Sequence, residues 1–156
     1  MSPEAPAEDR PLPTDDPALR PGWALLEFLL SIGADEFSLR FMYAGDEGKA
    51  PCEDLLGRLS FALLGDRTRE CTVTYDKESN PRPVRVWRFD RHSLTALRDV
   101  LPDGVLDSGS FTRLAWAEDL CVYRAGELLF GAVTHERYAF LRLPEAEWRR
   151  WEATAT

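Results

Sequence analysis

The chain has 156 residues, 44% of them hydrophobic and 29% charged, which suits one folded domain with one core and excludes coiled coil, membrane residence and wholesale disorder. A formal net charge of −8 sets a negative surface field that disfavours phosphate backbones and anionic lipid, so no nucleic acid and no membrane is expected as a partner. Seventeen arginines stand against two lysines, one asparagine and no glutamine, the mark of a GC-rich genome, so the abundance of arginine by itself carries no functional weight.

Residues 1–21 hold six prolines among Glu4, Glu8, Asp9, Asp15 and Asp16. Such a segment buries too little apolar surface to offset its ordering, and it predicts a flexible acidic tail ahead of a single domain over 22–156. Trp23, Leu26, Leu29, Leu30 and Ile32 fall at helical spacing, and Gly33 stands where a helix C-cap would be. Phe37, Leu39, Phe41 and Tyr43 then alternate with polar neighbours, a period of two that predicts a strand. After Pro51, the residues Cys52, Leu55, Leu56, Leu59 and Leu63 recur at helical intervals, with Pro51 at the first helical position.

Two strands are expected over 70–76 and 84–90, joined by a loop that contains Asn80-Pro81 and Pro83. A helix over 92–101 has Asp90 or Ser93 as its cap and ends at Pro102 and Gly104. Residues 105–112 read as loop, and a strand begins over 114–116. The runs 120–124, 127–133 and 138–143 form a meander, with Ala125-Gly126 and residues 134–137 as turns. Pro144 opens a last helix carrying Trp148 and Trp151 three apart on one face. Short connections demand antiparallel pairing. The expected fold is therefore α+β: a single antiparallel, meander-rich sheet of about six strands, with three to four helices packed mainly on one face.

No catalytic signature emerges. Cys52, Cys71 and Cys121 are odd in number and widely spaced, so neither a disulfide framework nor a zinc site is indicated, and a reducing cytoplasm fits them best. Each reads as a small packed hydrophobe. The start of the chain lacks the basic and apolar regions of a signal peptide. His92 and His135 stand alone at a helix start and a turn. His135-Glu136 lacks the second histidine of a zinc helix, since position 139 is alanine, and Gly45-Asp46-Glu47-Gly48-Lys49 is too short for a phosphate loop. We therefore expect no catalytic residue, no cofactor and no metal.

What remains is charge and aromatic surface. The acidic doublets Asp35-Glu36, Asp46-Glu47, Glu53-Asp54 and Glu118-Asp119 fall at element ends, where a cluster of them would receive a basic partner. Trp148 and Trp151 either clamp the last helix to the sheet or anchor that partner. The candidate contact set is thus Asp35, Glu36, Asp46, Glu47, Glu118, Asp119, Trp148 and Trp151.

The acidic balance and the closing meander, Leu120-Cys121-Val122-Tyr123-Arg124 through Glu127-Leu128-Leu129-Phe130 to Tyr138-Ala139-Phe140-Leu141, resemble in general character the stand-alone immunity proteins of bacterial toxin systems. That resemblance implies a non-catalytic module that binds and occludes a basic protein, with acidic loops facing it. Two rival readings are a small enzyme or ligand-binding domain, with a pocket between sheet and helices holding His92 or His135, and a regulatory subunit of a bacterial complex.

Overall fold

In a computed structural model, residues 7–13, 22–41, 49–72, 80–101, 117–133 and 136–154 are described. They form one antiparallel sheet of seven strands with four helices: β1 (Asp9–Pro11), α1 (Trp23–Ser31), β2 (Glu36–Phe41), α2 (Lys49–Leu59), β3 (Leu63–Arg69), β4 (Arg82–Arg88), α3 (Arg91–Val100), β5 (Ala117–Arg124), β6 (Glu127–Val133), β7 (Tyr138–Arg142) and α4 (Glu145–Thr154). The strand order is β1-β7-β6-β5-β2-β4-β3. The α+β architecture is as expected, with one strand more than the count of about six.

The helices sit on one face because each strand sends alternate residues to it. Phe37 and Leu39 of β2, Trp87 of β4, Leu120 and Val122 of β5, Phe130 of β6 and Leu141 of β7 join Leu25, Leu29, Leu55, Leu59, Leu94, Leu97 and Trp151 in one core. Phe37 stacks on Trp87 at 5.6 Å and meets Phe89 edge-on at 6.2 Å. Helix ends follow their sequence signals. At the end of α1 the Gly33 N–H donates to Leu30 O and the Ala34 N–H to Leu29 O, a Schellman closure that needs the positive φ of 94° at Gly33. At the start of α3, Asp90 and Ser93 exchange side-chain and backbone hydrogen bonds in a capping box.

Three expectations change. Helix α2 begins two residues before Pro51, which its free first turn tolerates, and it stops at Leu59 instead of running to Leu63. Residues 60–62 form a 3-10 turn and Leu63, 47% exposed, opens β3. The spacing of Leu55, Leu59 and Leu63 is helical, but pairing of Leu63 with Trp87 on β4 overrides it. Within the expected tail, Asp9–Pro11 adds an edge strand to β7. Of the strand expected over 70–76, only 70–72 lie within the described residues, and those three are not strand; the expected loop over 105–112, the strand start over 114–116 and His135 lie outside them.

The second face of the sheet carries its own small cluster, Val86, Cys121, Tyr123, Leu128 and Phe140. The chain leaving β3 bends over it. Tyr123 Oη donates to Glu70 O at 2.7 Å, Thr72 Oγ1 donates to Ala132 O at 2.6 Å, and Cys71 packs on the cluster. Asn80 fastens the base of this overhang: its Oδ1 accepts the Cys71 N–H and its Nδ2 donates to Cys71 O, both at 3.0 Å. Both sheet edges are guarded against further pairing. β3 bears Asp66, Arg67 and Arg69 and a register shift between Leu63 and Gly65, and β1 ends in Pro11.

Candidate functional site

The overhang Glu70–Thr72 leaves a cleft on each side. The larger, of about 960 Å³, runs between the overhang, β1 and the β5–β6 hairpin. Its walls are built from ion pairs between residues remote in the chain. Arg142, on the second face of β7, donates from Nη1 and Nη2 to Glu70 at 2.6 and 3.1 Å, and from Nε to Asp9 Oδ1 at 2.6 Å. These hydrogen bonds, Glu70 first, raise its already high pKa further. Arg69 holds Glu36 through two contacts of 3.1 and 3.3 Å. Arg124 forks onto Glu147 of α4 at 2.7 and 2.9 Å and also reaches Ile32 O at 3.0 Å, and the Glu147 bonds raise its pKa.

The depths of these charges differ. Arg142 is 26% exposed, beneath Asp9 at 44% and Glu70 at 41%. Glu127, also exposed, lies on the same rim. A molecule entering the groove therefore meets carboxylates first and guanidiniums behind them. Each carboxylate has lone pairs beyond those used by Arg142, so it can take a further donor without releasing the arginine.

Both described thiols have pKa values raised above the ordinary one. Burial pushes Cys71 up, against the opposing charge of Arg82, and pushes Cys121 up to about 11, with hydrogen bonds from Thr72 opposing. Burial likewise raises the Tyr123 phenol. His92 is exposed on the first turn of α3 and lines none of the clefts described here. Among the described residues no group of three His, Cys, Asp or Glu is placed to hold a metal ion, and no helix is long and apolar enough to cross a membrane. The chemistry this arrangement offers is charge recognition on a preorganised surface.

Among the described residues, the doublets read from sequence go to separate places. The exposed Asp35 accepts the Ala125 N–H at 3.3 Å, supporting a two-residue hairpin in which Ala125 and Gly126 have φ of 51° and 81°. Glu36 is committed to Arg69. Asp119 is buried at a β-bulge, with φ of 56°, and lies 3.9 Å from Arg40. Glu53 and Asp54 stay exposed on α2, where Asp54 pairs with Arg58. Asp46 and Glu47 lie outside the described residues, as does the side chain of Glu118, whose backbone pairs with Arg40. Trp151 is 5% exposed and packs on Phe28 at 5.4 Å; Trp148 is half-buried, with the Arg10 guanidinium 4.7 Å from its ring. Trp151 thus meets α1 within the core, and Trp148 packs on that core beside Arg10 of β1.

Sequence reasoning missed Asp9, Glu70, Glu127 and Arg142. The one available signal was Arg142 itself, an arginine at an every-other position of a strand, in phase with Tyr138 and Phe140. Comparison with known protein families, with curated proteins and with solved structures gave no match.

Proposed function

We propose that this chain is a non-catalytic protein-binding module, of the immunity type, that takes a basic segment of a partner protein in the groove beside the overhang. The observation that carries the reading is the layering of charge there: Asp9 and Glu70 stand more exposed than the Arg142 they hold. Pinned carboxylates present acceptors without losing much side-chain entropy on binding, and the net charge of −8 steers a cationic partner toward them. The free thiols of Cys71 and Cys121 support a reducing, cytoplasmic setting.

The test is capture from the native cell lysate by the tagged chain, by a groove variant with Asp9→Lys and Glu127→Lys, and by a control with Glu152→Lys on the outer side of α4. We expect one basic protein retained at low salt by the wild type and the control, and lost both at high salt and with the groove variant. Retention unaffected by the groove substitutions overturns the reading.

A further inference from the structure

The smaller cleft, on the other side of the overhang, has the opposite character. We propose that this pocket of about 190 Å³, between β2 and the overhanging start of β4, binds a small oxyanion of the phosphate class. Among the described residues three arginines line it, Arg40, Arg82 and Arg85, against one carboxylate, Asp119. Arg40 already faces Asp119 at 3.9 Å, which offsets that carboxylate's charge. Arg82 and Arg85 form no ion pair among the described residues, whereas Arg69, Arg124 and Arg142 in the larger groove are each forked onto carboxylates. Among the described residues the pocket wall thus carries an excess of positive charge.

Arg82 and Arg40 both act on the Cys71 thiol that lines the cleft, opposed there by Asp119 and Glu70. The Thr72 hydroxyl spends its proton on Ala132 O at 2.6 Å, so recognition rests on the guanidiniums, whose planar fork suits tetrahedral and carboxylate oxyanions. The volume lies below the roughly 300–1,000 Å³ of pockets for drug-sized ligands, which fits an ion-sized occupant.

The probe is inorganic phosphate, and the readout is iodoacetamide alkylation of Cys71 in the full chain, followed by peptide mass spectrometry. Potassium chloride at matched ionic strength is the reference, since phosphate also acts on proteins through exclusion from their surface. Phosphate at ten times its dissociation constant slows Cys71 alkylation about tenfold, as mass action requires. Arg82→Met with Arg85→Met removes the protection, while Arg67→Met, on the same edge but outside the pocket, keeps it. Equal protection by chloride, or full protection in the double variant, overturns the proposal. Phosphorus NMR on the wild type decides the matter without any variant: site-bound phosphate broadens the resonance in proportion to protein, and an unchanged line overturns it.

Discussion

Arg142 and Glu70 are joined by two parallel hydrogen bonds across 72 positions of sequence, fastening β7 to the chain segment that crosses the sheet's second face. Asp9 takes the Nε side of the same guanidinium, so one residue ties three segments together. Replacing Arg142 by Met removes the guanidinium, which lies 5.8 Å from the Phe140 ring centre, and leaves two carboxylates without their cation. Charge-assisted hydrogen bonds of this kind predict a loss of about 2 kcal/mol, read by urea unfolding. The Asp9→Asn variant, which leaves the Glu70 fork in place, loses less. Equal losses would mean that the fork to Glu70 is not the main fastening.

Gly131 reports on the overhang from below. A Cβ placed on it would stand 2.6 Å from Thr72 Cγ2 and 2.7 Å from Phe140 Cζ, so the overhang and β6 approach too closely for any side chain. Gly131→Ala forces Thr72 off the sheet, and overpacking predicts a loss of about 1–3 kcal/mol. Because Cys71 moves with Thr72, alkylation of Cys71 accelerates in this variant. An unchanged alkylation rate would place the strain in Phe140 instead.

The parts of this fold that were legible are those where one face is buried against helices. Phe37 and Leu39 announce β2, and the meander announces β5 to β7, because burial of one face forces alternation. β3 sends no such signal: as an edge strand it is mostly exposed, and its first residue falls in the helical phase of α2. β1 is hidden by its proline-rich setting. The site was less legible still. Adjacent acidic residues in extended chain point to opposite sides, so Asp35 goes to a hairpin and Glu36 to Arg69, and a doublet in sequence is not a patch in space. Asp9 and Arg142 meet across 133 positions, and no local spacing encodes that contact.

Asp90 makes one contribution to stability depend on pH. Burial alone would raise its pKa, but the Ser93 N–H at 2.9 Å and Arg88 Nε at 2.8 Å favour the charged form more strongly and hold it below the ordinary 3.8. A depressed folded pKa gives stability that is present above the unfolded value and lost as pH falls through the folded one. Asp90→Ala therefore costs about 1 kcal/mol at pH 7, the usual value of an N-cap. The gap between variant and wild type narrows in urea melts at pH 3. A gap of constant size would show that the carboxylate's charge contributes nothing to the cap.

Trp148 and Trp151 lie on one helix and differ in depth, and that difference is measurable. Trp151 fills the core against Phe28, so Trp151→Ala opens a cavity and costs about 3–5 kcal/mol. Trp148 is half-buried beneath the Arg10 guanidinium, which also pairs with Glu145, so its truncation loosens β1 from α4 and costs about 1–2 kcal/mol. Combining Arg10→Ala with Trp148→Ala costs less than the sum of the two, because each removes the same contact. Strict additivity would show that the guanidinium and the ring do not interact in solution.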